Sequence, residues 1–164
     1  MLKKLLLLVV TGFFLASCAA TNTQQGGDVD AASSSTSSGS DSSITAGTQE
    51  DLIVNVGDRV FFEFDSSELT VDAQATLDAQ AAWLMQYPDT NITVEGHADE
   101  RGTREYNLAL GDKRAFSVYS YLAQAGIDTN RMEYVSWGKE RPEVIGSDET
   151  AYSQNRRGVT LVSN

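Results

Sequence analysis

Between Ala19 and about Glu50 the chain is built from Ser, Thr, Gly, Gln, Asn and Asp, with almost no large apolar side chain, and residues 33–43 are little but serine. Such a stretch cannot bury enough surface to offset the entropy of ordering it. Any core must therefore come from the part that follows, about 110 residues and enough for one domain. A coil of this composition spans roughly 30 Å on average and could be drawn out to about 100 Å. The sequence thus predicts a leash at 18–50 and a folded head at 51–164.

Charge and cysteine content narrow the function classes. Twelve Lys and Arg stand against 23 Asp and Glu, a formal net charge of −11. Nucleic-acid binding needs clustered cations to displace counterions, so that class is excluded. One cysteine and one histidine rule out both an intrachain disulfide framework and a Cys/His zinc site. At 41% hydrophobic and 21% charged residues, neither wholesale disorder nor a multi-span membrane protein fits.

The N-terminus reads as an address. Lys3 and Lys4 precede an apolar run, Leu5 to Val10 and Phe13 to Leu15, in the pattern of a secretory signal and too short to span a bilayer comfortably. Leu15-Ala16-Ser17-Cys18, holding the only cysteine, resembles the lipobox of bacterial lipoproteins. That resemblance implies a signal peptide at 1–17, cleavage before Cys18, and acylation of the Cys18 thiol and amine. Two or three acyl chains hold durably where one does not. Ala19, rather than Asp, after the cysteine resembles members forwarded to the outer membrane.

The head reads as an α+β domain. Leu52 to Val56 is an apolar lead-in to a turn at Gly57-Asp58. Val60 to Phe64 has strand composition. Thr70 is an N-cap for a helix carrying Leu77, Ala81, Leu84 and Met85 and closed by Pro88. Asn91 to Glu95 alternates as a strand, and Gly96 opens a polar loop. A second helix runs from Arg104 to Ala125, with Gly126 at C′ and a core stripe of Leu108, Ala115, Tyr119 and Leu122. Met132 to Trp137 and Gly158 to Val162 read as strands joined by a loop with Gly138, Pro142 and Gly146. The order β-α-β-α-β-β predicts a mixed sheet with helices packed on one face.

The candidate site is the loop and helix after the second strand. His97, Asp99, Glu100, Arg101 and Arg104 crowd a loop at a strand exit, where binding groups usually sit. At about 100° per residue, Asn107, Leu110, Gly111 and Arg114 share a helix face bordering the core stripe. Gly111 costs the helix about 1 kcal/mol and permits close approach of a backbone or ligand. A loop carboxylate opposite a helix guanidinium would suit a ligand bearing both an ammonium and a carboxylate. The alternative is an Asp99–Arg114 surface ion pair worth about 0–1 kcal/mol. A hydrolase using two of Glu95, Asp99 and Glu100 is a rival reading, since glycosidic cleavage needs paired carboxyls. So is a protein-interaction module built on Trp137 and the Arg-rich C-terminal segment.

Residues 93–103, Thr-Val-Glu-Gly-His-Ala-Asp-Glu-Arg-Gly-Thr, followed by Tyr106-Asn107, Leu110-Gly111 and Arg114-Ala115, resemble the signature of the OmpA-like peptidoglycan-binding domain family. Phe64 to Ser67, Trp137 to Pro142 and Asn155 to Arg157 are similar to further motifs of it, so the likeness covers about residues 58–162. The resemblance implies a non-enzymatic domain, without cofactor or metal, that binds the diaminopimelate stem peptide of peptidoglycan. Asp99 would take the ligand ammonium and Arg114 its carboxylate, in a two-bond fork that Lys cannot reproduce. Asn107, Leu110, Asp65 and Phe64 would line the pocket, with Arg157 and Arg101 supporting it and His97 structural or at the rim. With the lipobox and leash, the likeness extends to the lipid-anchored members of the Tol–Pal system, which join outer membrane to cell wall in envelope integrity and cell division. It implies the periplasmic β-propeller protein TolB as a partner competing for the same surface, and TolA as a further one. Two departures stand out: Arg104 replaces a frequent Pro, and Asp112-Lys113 a more usual Glu-Arg.

Overall fold

A computed structural model describes residues 44–163. The expected signal peptide at 1–17, the expected lipid site Cys18 and the expected leash up to residue 43 lie outside the described residues. Four helices and four strands alternate: α1 (Gln49–Asn55), β1 (Arg59–Phe61), α2 (Val71–Gln86), β2 (Ile92–His97), α3 (Arg104–Gln124), β3 (Met132–Gly138), α4 (Glu149–Asn155) and β4 (Arg157–Val162). The sheet has the order β1-β4-β2-β3. Strand β4 runs antiparallel to both β1 and β2, while β2 and β3 are parallel. The fold is the expected mixed α+β sheet. Among the described residues no helix is long and apolar enough to cross a membrane.

The core lies between the sheet and the two long helices. Val60, Ile92, Val94 and Met132 from the strands meet Leu77, Ala81 and Leu84 of α2 and Ala115, Val118 and Leu122 of α3. Both long helices start where the sequence predicts; Thr70 is the expected cap, and Thr103 plays the same part for α3. The hydroxyls of Thr70 and Thr103 accept from the amides of Ala73 and Tyr106, satisfying N–H groups that the helix leaves free. Gly126 ends α3 with φ 102°, a conformation that favours glycine.

Three expectations are corrected. The lead-in at Leu52 to Val56 is largely helix α1, and Gln49 and Glu50, which composition assigns to the leash, form its first turn. Thr48 caps it, and Asp51 accepts from the Gly47 amide and from the Trp83 indole at 2.9 Å. The Gln49 side chain then clasps β4, accepting from the Val162 amide and donating to the Thr160 carbonyl. Second, the loop after β3 contains helix α4, capped by Asp148 and tied down by Asn155, whose amide oxygen accepts from the amides of Glu143 and Val144. With Ala151 its only buried apolar residue, α4 has no hydrophobic period to read. Third, Leu108 is 46% exposed and not part of the α3 core stripe. The buried face of α3 is Asn107, Gly111, Arg114, Ala115, Val118 and Leu122.

That rotation has a cause in two glycines. A Cβ on Gly96 would overlap the carbonyl oxygen of Gly111, so α3 rests directly on the β2 backbone. Strand β2 also runs on through Gly96 and His97, where the sequence predicts a loop. With the helix pressed this close, positions 107, 111 and 114 turn inward, and a guanidinium enters the interior.

Candidate functional site

Arg114 is fully buried. Its Nε donates to the Ser66 carbonyl at 2.8 Å, Nη1 to His97 O at 2.8 Å and Nη2 to Glu63 O at 3.1 Å. The side chain thus fastens the turn after β1 to the end of β2. Three of its five N–H groups are used on carbonyls, and among the described residues no carboxylate lies within ion-pair distance. Burial pushes its pKa down to about 10, with the charge of Asp99 opposing the shift. The group stays cationic at neutral pH, held in place by dipoles and not by an acid.

Asp99 lies in another wall of the same site, 5% exposed. Its oxygens accept from the Arg101 amide at 3.1 Å and from the Arg101 guanidinium at 3.2 and 2.6 Å. Arg156 Nη1 lies 3.5 Å away. Burial alone would raise the Asp99 pKa, but the hydrogen bonds and charge of Arg101 outweigh it and hold the carboxyl below its ordinary value. Arg101 is itself clamped between the rings of Phe64 and Tyr152, 4.1 and 4.3 Å from their centroids. The Asp99–Arg114 ion pair of the alternative reading is absent among the described residues.

Between these walls lies a cavity of about 190 Å³. It is lined by Asp99, Arg114, Asn107, Leu110, Asp65 and Phe64, the six residues the sequence nominates, together with Arg101, Ala98, Gly102 and Tyr106. Asn107 is fixed by donating to the Arg101 carbonyl at 2.8 Å. Asp65, at φ 55°, accepts from the Tyr106 hydroxyl. The strand expected to reach Phe64 ends at Phe61, and the turn that follows leaves Phe64 60% exposed at the cavity mouth. Of the three acids that a hydrolase could use, only Asp99 lines the cavity; Glu95 accepts from the Trp137 indole at 2.7 Å and Glu100 from the Tyr152 hydroxyl at 2.9 Å. No group of acids, His and Cys able to hold a metal occurs among the described residues.

One other placement differs from expectation. Arg157 does not touch the cavity: its Nη2 reaches Glu143 at 3.4 Å and the Arg141 carbonyl. Its neighbour Arg156 takes the supporting role, facing Asp99 and donating to the Phe62 carbonyl at 3.0 Å. His97 is not at the rim but takes the structural alternative: it is 1% exposed at the end of β2, with Glu95 Oε2 3.4 Å from its Nε2.

Burial, reinforced by Arg157 and opposed by Glu95, lowers the His97 pKa to about 4. In the unfolded chain His97 protonates near its ordinary 6.5. The unfolded state therefore binds more protons across that window, and stability falls as pH drops from about 6.5 to about 4, by up to about 1.4 kcal/mol per pH unit. The depressed carboxyl of Asp99 acts at lower pH, its contribution being lost as acid passes down through its folded value. Urea midpoints at about pH 7, 5.5 and 4.5 should fall steadily, and His97→Asn should flatten that slope. An equal slope in the variant would remove His97 from the account.

A fixed cation and a fixed anion lining one small cavity define a module suited to a small dipolar ligand. Residues 61–156 match the OmpA family model. The peptidoglycan-associated lipoprotein of Rhizobium meliloti is 57% identical over 118 residues, 72% of this chain and 67% of that protein. Its counterpart in Brucella melitensis is 56% identical over 119 residues, 73% and 71% of the respective chains. The crystal structure of the peptidoglycan-associated lipoprotein from Burkholderia pseudomallei superposes with a TM-score of 0.63 at 43% identity, covering 65% of this chain and 90% of that one. The C-terminal domain of Helicobacter pylori MotB shares the fold at 23% identity, TM-score 0.60, over 65% and 84% of the two chains. The chain belongs to the OmpA family.

Proposed function

We propose that this protein binds peptidoglycan non-covalently, taking the diaminopimelate residue of a stem peptide into the cavity between Asp99 and Arg114. The observation that carries this reading is Arg114: a buried guanidinium with no acid partner among the described residues and two N–H groups unused beside a cavity. A ligand carboxylate would supply the missing anion, and Asp99 would accept from the ligand ammonium in part exchange for Arg101. Leu110 and Phe64 would pack against the ligand's methylene chain. The relatives named peptidoglycan-associated lipoproteins support the same ligand.

With lipid on Cys18, the leash would let the head reach the wall from the outer membrane, facing the periplasm of a Gram-negative envelope. Two attachments on one chain raise the effective concentration of each, so modest affinity per stem peptide suffices on a polymer of many copies. The same reading puts the protein in the Tol–Pal system, serving envelope integrity and cell division, with TolB competing for the cavity face and TolA as a further partner. It is a clamp and not an enzyme.

Sacculus pull-down tests the site. Asp99→Ala should weaken binding by about 2–5 kcal/mol, the usual cost of removing one partner of a desolvated charge contact. Titration of a diaminopimelate stem peptide should move amide resonances around Asp99 and Arg114. Wild-type retention by the variant, or shifts confined to other surfaces, would exclude this cavity as the wall site.

A further inference from the structure

Strand β3 ends the sheet, paired only with β2. Among the described residues, the backbone of residues 133–136 makes no hydrogen bond outside that pairing. Alternate residues there turn their N–H and C=O toward open space. Natural edge strands usually carry charged side chains, Lys above all, or Pro to prevent further pairing. Strand β3, Met-Glu-Tyr-Val-Ser-Trp-Gly, carries no Lys, Arg or Pro, and its one charge, the exposed Glu133, repels an acidic strand and not a basic one. Beside the edge runs a groove of about 570 Å³ between α3 and β3, lined by Glu105, Leu108, Ala109, Asp112, Tyr134, Val135 and Ser136. It shares no lining residue with the Asp99–Arg114 cavity.

Its apolar walls are exposed. Leu108 and Tyr134 are 46 and 40% accessible, and behind them the Tyr134 ring lies 5.6 Å from that of Phe116, itself 50% accessible, and 5.2 Å from that of Tyr119. Its polar groups are of one sign. Glu105 and Asp112 line it, no cation does, and neither acid is ion-paired among the described residues.

We propose that this face binds an extended, basic and apolar segment of a partner protein, which adds to β3 as a fifth strand. The open edge would supply main-chain hydrogen bonds. The Leu108–Tyr134 groove would take one apolar side chain, and Glu105 with Asp112 would take flanking Lys or Arg. A second copy of this chain fits worse. Edge-to-edge pairing would bring the Glu105, Asp112 and Glu133 side chains of two copies together, on a protein already at −11.

The test uses the full chain, isotope-labelled, with the blocked heptapeptide Lys-Val-Ser-Leu-Thr-Val-Lys as probe. The expected result is saturable shifts at Tyr134–Ser136 and Leu108–Asp112, weakened at least tenfold when both lysines become glutamates. The double change Glu105→Lys with Asp112→Lys should reverse that preference, binding the glutamate peptide better by a similar factor. This reversal cannot come from a misfolded variant. Shifts at Phe64, Asp99 and Arg114 instead, no charge preference, or concentration-dependent shifts at the β3 edge without peptide would each overturn the proposal.

Discussion

Arg114→Ala is expected to lower stability by about 3 kcal/mol or more and, separately, to abolish retention on sacculi. The stability cost follows from the three carbonyls, Glu63, Ser66 and His97, that the guanidinium satisfies. Hydrogen bonds to a charged donor contribute about 1.5–3 kcal/mol each, and carbonyls left buried without a partner are costly. Relief of the desolvated cation offsets part of this, which brings the figure below the simple sum of the three bonds. The turn carrying Phe64 and Asp65 loses its fastening, so the cavity mouth should loosen as well. Arg114→Lys separates the two roles: one ammonium restores some carbonyl contacts and part of the stability, but it cannot form a two-bond fork to a carboxylate. Urea titration of both variants, with pull-downs where each remains folded, distinguishes these effects. If Arg114→Ala unfolds with the wild-type midpoint, the three carbonyl contacts do not hold the turn. If Arg114→Lys binds sacculi like the wild type, the fork is not the means of recognition.

How far such a site can be read from sequence depends on which interactions are local. Thr70 and Gly126 act within one turn of their own helices, and the sequence places them correctly. Bringing Asp99 and Arg114 to one cavity is a longer-range fact; spacing alone favours a surface ion pair, and only the motif likeness points to a shared pocket. What Arg114 donates to was invisible, because its acceptors are carbonyls 17, 48 and 51 residues away and a carbonyl has no residue type. The exchange of Arg156 for Arg157 is a question of strand parity: a one-residue slip reverses which face of the sheet a side chain joins. Helix α4 has too few apolar residues to show a period, and the choice between a structural and a rim His97 stays open in the sequence because β2 runs two residues further than its alternation suggests. The Arg114 acceptors and the reach of β2 are both decided by distant backbone, which residue types do not encode.

The glycine contact beneath α3 gives the second large effect. Gly96→Ala should destabilise the domain by about 4 kcal/mol or more, beyond the roughly 1–3 kcal/mol usual for overpacking. The new Cβ would overlap the Gly111 carbonyl oxygen and come within 2.8 Å of its carbon and 2.9 Å of the Ala115 nitrogen. All three are helix backbone atoms, so no rotamer change relieves the overlap; α3 as a whole must lift. Gly111→Ala should cost less: its shortest contact, 2.4 Å, is with the Ser136 hydroxyl, a side chain that can turn away, and the one backbone clash left is the milder 2.8 Å to the Gly96 carbonyl oxygen. Lifting α3 also draws Arg114 from the His97 carbonyl, since one group rides on the helix and the other on β2. Gly96→Ala should therefore weaken sacculus binding even in the fraction that remains folded, although no atom of residue 96 lines the cavity. Chemical denaturation paired with pull-down measures both. A variant within about 1 kcal/mol of wild type would mean that helix and strand yield at this contact, and that the seat of Arg114 is set elsewhere.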